Sequence, residues 1–188
     1  MSKKRLSHRV ISVVLAVILV LAAGVVAFGA VRKIIYPQKY SELVEKYSRE
    51  FGVEESLVYA VIFTESGFDP NARSNVGAIG LMQIMPDTFQ WLQMKMKTDT
   101  TLASDALYEP ETNIKYGVFF LSLLINEFGC DRLAIAAYHA GRGSVNSWIN
   151  NELVSRNDCE IDDIPTSDTG HYVSKVEDAR GVYLDIYY

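Results

Sequence analysis

The chain has 188 residues, of which 49% are hydrophobic and 22% charged, enough for one globular domain with an appendage. All 23 acidic side chains but only 12 of the 18 basic ones follow position 33, so residues 34–188 carry a formal charge of −11. Because nucleic-acid binding relies on clustered Lys and Arg, this composition argues against a nucleic acid as partner and suits a neutral or sugar-like ligand better.

The first predicted element is an apolar helix over residues 10–31, in which Ser12 is the one clearly polar side chain. These positions span roughly 33 Å as a helix, enough for a hydrocarbon core of about 30 Å. Four basic residues precede the run and two follow it, so the positive-inside rule predicts a cytoplasmic segment 1–9, a transmembrane signal-anchor 10–31 and an exported remainder. The protein is therefore expected in the cell membrane with a single pass. A cleaved signal peptide is the alternative, since residues 27–30 loosely resemble a small-residue cleavage site.

After a short juncture at 32–39, a domain is predicted over 40–188 that is mainly α, because strand-like alternation is nearly absent. Apolar periodicity together with Gly and Pro positions places its helices at 40–51, 54–65, 86–94, 110–128, 131–140, 144–150 and 167–184. Irregular structure is predicted for the segments 67–80, 95–105 and 152–163.

Glu65 is the first candidate for chemistry. It follows Val58, Val61 and Ile62 at helical spacing, so all four side chains share one face. Burial disfavours the charged form of a carboxyl group and raises its pKa, which would make this glutamate a proton donor near neutral pH. The alternative is that the helix frays at Ser66 and leaves Glu65 solvated.

One loop and three single residues are candidates for the surroundings of Glu65. A loop of about fourteen residues at 67–80 is long enough to serve a site. Gln83, among apolar neighbours, either braces the backbone or contacts a ligand. Tyr138 and Tyr172 are candidate site residues, with ordinary core packing as the alternative.

The two cysteines leave a disulfide open. Cys130 and Cys159 form one bond in an oxidising compartment, or remain two buried thiols. The three histidines lack the spacing of metal ligands and the chain has no CxxC pair, so no metal and no cofactor are expected.

Four segments of this sequence, taken in order, resemble a known family. The run ESGFDPNARSNVGAIGLMQIMPDTF is similar to the signature of soluble-type lytic transglycosylases, the goose-lysozyme-like catalytic domain that cleaves peptidoglycan. The later runs NIKYGVFFL, AYHAG and IPTSDTGHYVSKV match the family's remaining motifs. The resemblance covers roughly 40–188 and implies a lysozyme-like fold (α+β class with little or no strand), with a cleft for the glycan strands of peptidoglycan.

The resemblance also implies roles for individual residues. Glu65 would be the catalytic acid and base, Ser66 would help to hold it or the substrate, and Gln83 would contact the substrate in the cleft. Tyr138 and Tyr172 would line the site. At the last candidate substrate contact, His139, the family usually has asparagine; imidazole keeps the hydrogen-bonding ability but adds a titratable group, and it is interpreted as a tolerated change.

The expected reaction follows from the lack of an obvious second carboxylate in the motifs. Most glycosidases use two, and the nearest here, Asp69, precedes a proline where starting a turn is the more typical role. The resemblance implies that the C6 hydroxyl of N-acetylmuramic acid attacks its own anomeric carbon, with Glu65 as acid and then base, to form a 1,6-anhydro sugar. The alternatives are a hydrolase of the same fold, in which Asp69 or another acid positions a water, and a non-catalytic peptidoglycan-binding module of an envelope machine.

Overall fold

The computed structural model describes residues 3–98, 101–155 and 164–188. The chain divides into two compact units, Met1–Pro37 and Gln38–Tyr188. The first unit is built on one helix and the second holds the remaining helices.

The first unit contains α1, Lys3–Ile35, which extends beyond the predicted apolar span at both ends. Within its segment Ser12–Ile35, a window of 18 residues has a mean hydropathy of 2.9, and no residue of that window is buried. Among the described residues it is the one helix with the length and composition to cross a bilayer. Arg32 and Lys33 lie in its last turn, where positive charge is favourable at the helix C-terminus.

The second unit consists of helices, and the described ranges contain no strand, only two isolated bridges that meet at Ile79. This confirms the predicted mainly α fold. The elements are α2 (Ser41–Phe51), α3 (Glu55–Ser66), α4 (Pro86–Met96), the 3₁₀ helix η1 (Ser104–Tyr108), α5 (Pro110–Phe128), α6 (Asp131–Ala140), α7 (Arg142–Asn150) and α8 (Ser167–Tyr187).

The differences from the predicted elements are small and lie at element ends. Helix α4 continues two residues further than predicted and α7 begins two residues earlier. The 3₁₀ helix η1 begins inside the segment 95–105, which was expected to be irregular. A single short turn of this kind leaves no apolar periodicity from which it could be predicted.

Helix α3 is buried on all sides rather than along one stripe. Every residue from Ser56 to Ile62 is buried. On one side α3 packs against α8, where the rings of Tyr59 and Tyr183 stack with centroids 5.3 Å apart. Gly67 ends the helix at φ 59°, a left-handed conformation that suits glycine. Glu65 therefore lies in the last turn of a helix that is otherwise inside the core.

The other long helices pack as their periodicity predicts. On α5, Ile114, Val118, Leu121 and Leu124 are fully buried, whereas Ile125, also predicted on that side, is only half-buried. Helix α5 contacts α2 and α6, and α8 contacts α6 as well as α3. Helix α2 contacts both α3 and α5, so the core is formed where α2, α3, α5, α6 and α8 pack together.

Arg180 joins three helices at one point. Its Nη1 donates to Asp131 Oδ2 at 2.8 Å, and its Nη2 is paired with Glu54. Asp131 begins α6 and Glu54 immediately precedes α3, so both carboxylates also lie at helix N-termini, where negative charge is stabilised. This pairing fixes α8 against α3 and α6.

Cys130, directly before α6, is buried and disulfide-bonded. This excludes the alternative of a free thiol at this position. Cys159, the other cysteine of the chain, lies outside the described residues.

Candidate active site

Glu65 lies where the end of α3 meets α8. The hydroxyl of Tyr172 donates a hydrogen bond of 2.6 Å to Glu65 Oε1. Burial raises the pKa of Glu65 to about 7, although the hydrogen bond from Tyr172 acts in the opposite direction. The side chain keeps partial exposure to solvent. Glu65 is therefore a carboxyl group that exists in both protonation states near neutral pH and is accessible to a ligand.

Two tyrosines lie near this acid. Burial and the neighbouring negative charge of Glu65 raise the pKa of both Tyr138 and Tyr172 well above the usual value for a phenol. Both therefore remain protonated donors at neutral pH. Tyr138 donates its hydroxyl to the carbonyl oxygen of Met82 at 2.7 Å and packs against Phe120, with ring centroids 5.1 Å apart. Tyr172 contacts the acid directly, and Tyr138 holds the backbone beside it.

Ser66 and Gln83 hold the loop that follows α3. Ser66 Oγ donates to the carbonyl oxygen of Leu81 at 2.8 Å, which ties the end of α3 to this loop. Gln83 Nε2 donates to the carbonyl oxygens of Ala72 and Gly80 at 3.1 and 2.9 Å. Of the two interpretations open for Gln83, the structure shows backbone bracing through its amide nitrogen.

Asn113 is a site-supporting residue that the sequence reasoning missed. It is fully buried on α5, where its Oδ1 accepts the N–H of Met82 at 2.7 Å. Its Nδ2 donates to the carbonyl oxygens of Ile79 and Leu107 at 2.9 and 2.7 Å. Asn113 begins the run NIKYG and directly precedes the buried stripe of α5. The signal available in the sequence was a polar residue bordering a buried face, since such a residue needs hydrogen-bond partners.

Two glycines allow this close packing. A Cβ atom at Gly80 would lie 2.2 Å from Asn113 Nδ2 and 2.3 Å from the carbonyl oxygen of Leu107. A Cβ atom at Gly117 would lie 2.2 Å from the sulfur of Met82. The loop 79–84 therefore packs closely against α5. Three side chains form hydrogen bonds with its main chain, those of Ser66, Asn113 and Tyr138.

His139 packs on the ring of Tyr172, the residue whose hydroxyl bonds Glu65. The two rings stack with centroids 4.5 Å apart and an interplanar angle of 24°. His139 Nδ1 lies 3.4 Å from Thr169 Oγ1, and Nε2 lies 3.7 Å from Asp168 Oδ2. His139 also lines a groove of about 770 Å³, whose other walls include Ser144, Trp148, Asp168 and Thr169. His139 on the groove wall therefore stacks on Tyr172, which in turn bonds Glu65.

Asp69, the carboxylate nearest to Glu65 in sequence, is part of a turn. Its Oδ1 accepts the backbone N–H of Asn71 at 2.9 Å, and the side chain is exposed. This is the turn-starting role expected before Pro70. Within the ranges 3–98, 101–155 and 164–188, no three His, Cys, Asp or Glu side chains form a group that could hold a metal ion.

The described fold and site define a lysozyme-like helical domain with one partly buried carboxyl group of raised pKa in the last turn of α3. The chain belongs to the transglycosylase SLT domain family, whose model matches residues 42–157. The match includes Glu65, Gln83, Asn113 and His139, whereas Tyr172 lies beyond its end.

Curated relatives carry transglycosylase names. The chain is 37% identical over 144 residues to the soluble lytic murein transglycosylase of Salmonella typhimurium, covering 75% of this chain and 22% of the relative. It is 34% identical over 167 residues to the membrane-bound lytic murein transglycosylase C of Serratia proteamaculans, covering 77% of this chain and 46% of the relative. The chain thus spans between a fifth and a half of the length of these relatives.

Solved structures agree with the fold. The 70 kDa soluble lytic transglycosylase of Escherichia coli matches with a TM-score of 0.75 at 32% identity, covering 81% of this chain and 25% of that one. Its complex with bulgecin A matches with a TM-score of 0.76 at the same identity, over 82% and 25% of the two chains. An inactive glutamate-to-glutamine mutant of Slt from Pseudomonas aeruginosa matches with a TM-score of 0.69 at 28% identity, over 82% and 26%. These matches confirm the expected lysozyme-like fold.

Proposed function

We propose that this protein is a peptidoglycan lytic transglycosylase in which Glu65 is the catalytic acid and base. The observation that carries the proposal is the raised pKa of Glu65, about 7, within the segment that matches the SLT domain family. The names of the curated relatives, lytic murein transglycosylases, support the same activity. The inactive glutamate-to-glutamine mutant of a similar structure is consistent with a chemistry that depends on one glutamate.

In the first step, protonated Glu65 donates its proton to the oxygen that joins N-acetylmuramic acid to the next N-acetylglucosamine, and the bond from this oxygen to the anomeric carbon breaks. In the second step, the C6 hydroxyl of the same muramic acid bonds to that carbon, and the Glu65 carboxylate takes the hydroxyl proton. The product is a 1,6-anhydro sugar and no water is consumed. A pKa near 7 suits both steps, because neither protonation state is strongly disfavoured.

The other predicted site residues have three different roles in this proposal. The backbone of residues 72–82 next to the site is held by hydrogen bonds from three side chains, Ser66, Gln83 and Tyr138. Tyr172 contacts the reacting carboxyl group, and its hydroxyl stabilises the carboxylate form that Glu65 adopts between the two steps. His139 lines the groove and is proposed to contact the glycan strand.

The test is product analysis with purified peptidoglycan. We expect the wild-type protein to release anhydro-muropeptides and Glu65→Gln to release none while it keeps its helical spectrum and a cooperative melting transition. Glu50→Gln, an exposed glutamate on α2, is the matched control and should retain full activity. Anhydro products made by the Glu65→Gln variant at the wild-type rate would contradict the proposal.

A hydrolase of the same fold is the second candidate, because Asp168 is a 90% exposed carboxylate on the wall of the groove. Mass spectrometry separates the two reactions, since a hydrolysed product is heavier than the anhydro product by one water, roughly 18 mass units. A wild-type domain that binds glycan strands and cuts none would favour the non-catalytic binding module instead.

The N-terminal apolar helix and the membrane-bound relatives together suggest association with a membrane. We further propose a single pass, with residues 1–9 in the cytoplasm, residues 10–31 as the signal-anchor, and the catalytic domain at 40–188 outside. Such a protein should migrate near 21.1 kDa and leave cell membranes only with detergent. A shorter species that is released without detergent would show that the apolar segment is a cleaved signal peptide.

A further inference from the structure

We propose that His139 is a positioning residue, whose flat ring holds Tyr172 in the orientation at which the tyrosine hydroxyl meets Glu65. This inference rests on the proposed function of Glu65 as acid and base.

The rings of His139 and Tyr172 form a stacked pair. The rings of His139 and Tyr172 lie nearly parallel, with an interplanar angle of 24° and centroids 4.5 Å apart, an arrangement favourable for aromatic pairs. The tyrosine hydroxyl lies at the far end of the side chain, so a small rotation about the Cα–Cβ bond swings the whole ring and displaces the hydroxyl by a large distance. The bond to Glu65 is short, 2.6 Å, and therefore sensitive to such a rotation.

His139 itself contacts the helix that carries Tyr172. Thr169 is 3% exposed, and its hydroxyl accepts a hydrogen bond of 2.9 Å from Thr166. Its own proton is therefore available for His139 Nδ1, at 3.4 Å. On the opposite edge of the imidazole, Nε2 faces Asp168 Oδ2 at 3.7 Å. The first turn of α8 thus restrains both edges of the imidazole, and the ring in turn restrains Tyr172.

The titratable groups around this stack come from three helices. Glu65 lies on α3, Tyr138 and His139 on α6, and Asp168 and Tyr172 on α8. Helix α7 contributes serines and Trp148 to the adjoining groove wall. Because the hydrogen bond from Tyr172 lowers the pKa of Glu65, a loosened Tyr172 should raise that pKa. The pKa of Glu65 therefore reports the position of Tyr172 without any substrate.

The experiment uses the full-length protein in detergent with ¹³C-labelled glutamate carboxyl groups, titrated by NMR. The Glu65→Gln variant assigns the resonance of Glu65. We expect His139→Ala to raise the pKa of Glu65 by roughly half a pH unit and Tyr172→Phe by roughly one unit. His139→Phe keeps a flat face and should return the pKa most of the way to the wild-type value, whereas His139→Asn should resemble His139→Ala. His171→Ala, an exposed histidine on α8, is the matched control and should leave the pKa unchanged.

Kinetics on purified peptidoglycan provide a second readout. A positioning role predicts that His139→Ala lowers kcat about tenfold, because the defect lies in the chemical step. The proposed contact of His139 with the glycan strand would appear separately as a higher KM. An unchanged pKa of Glu65 in His139→Ala would overturn the positioning role, and so would a wild-type kcat. If the wild-type protein releases no product, the proposed function fails, but the titration still tests the positioning role. Melting curves identify any variant that fails to fold, and the remaining His139 variants then decide.

Discussion

The hydroxyl of Tyr172 donates a 2.6 Å hydrogen bond to Glu65, a residue 107 positions earlier in the chain. The bond joins the last turn of α3 to the first half of α8, two helices that pack along each other. It opposes the effect of burial on the pKa of Glu65, which settles at about 7. The acid is therefore tuned by a helix that lies far from it in sequence.

Tyr172→Phe should lower kcat by about tenfold to a hundredfold, since a hydrogen bond to a charged group contributes about 1.5–3 kcal/mol. The same change removes the one contact that lowers the pKa of Glu65, so the pH above which activity declines should rise. A pH series of kcat for both proteins checks this prediction. Tyr108→Phe, in the 3₁₀ helix η1, is the control and should match the wild type; a Tyr172→Phe profile that matches it as well would contradict the prediction.

The activity of the wild-type protein should decline as pH rises through about 7, because an ionised Glu65 has no proton to donate to the leaving oxygen. The measurement is the initial rate of anhydro-product release across a pH series at saturating substrate. A rate that stays level well above pH 8 would show that Glu65 is not the acid in the rate-limiting step.

Glu65 should also make the folded protein less stable at alkaline pH. Its pKa is near 4.5 when unfolded and about 7 when folded, so between these values the folded state binds more protons and stability falls as pH rises. The Glu65→Gln variant has no carboxyl group at this position and therefore does not lose stability in this way as pH rises. Its free energy of unfolding relative to the wild type should therefore increase between pH 4.5 and 7, by at most about 3 kcal/mol. Urea unfolding near pH 4 and near pH 8 measures the difference, and parallel pH dependences of the two proteins would rule the effect out.

Asn113→Ala should destabilise the fold by about 2–4 kcal/mol and reduce activity, because it leaves the N–H of Met82 and the carbonyl oxygens of Ile79 and Leu107 without their partner. Denaturant unfolding and product release measure the two effects. Asn126→Ala is the matched control, since Asn126 is exposed on the same helix. Equal stabilities of the two variants would show that the buried network contributes little.

Gly117 and Gly181 form a matched pair of helical glycines with opposite predictions. A Cβ atom at Gly117 would lie 2.2 Å from the Met82 sulfur, so Gly117→Ala should displace the loop 79–84 and cost about 1–3 kcal/mol. A Cβ atom at Gly181 meets nothing within 4 Å, so Gly181→Ala should stabilise α8 by about 0.5–1 kcal/mol. Melting temperatures of both variants test the pair, and shifts of the same sign would contradict it.

The sequence by itself determined the elements and one catalytic candidate. The apolar run of α1, the helical period of α5, and the glycine and prolines at helix ends are local signals, and the helices lie within a few residues of the positions they predict. Glu65 was identified from its spacing on α3, although that helix is buried on all sides rather than along the single face that the argument assumed. Burial was inferred correctly because a long apolar helix in a small domain has few other places to lie.

Only the tertiary structure decided how the site is assembled. Asn113 supports a loop about thirty residues earlier, Gln83 uses its amide nitrogen for backbone bracing, and His139 stacks on the tyrosine that bonds Glu65. None of these contacts has a period or a fixed spacing, because each depends on where two distant segments meet after packing. Glu65 could therefore be proposed as a catalytic candidate from local pattern, whereas its pKa and its partners depend on the burial and hydrogen bonds that the folded chain provides.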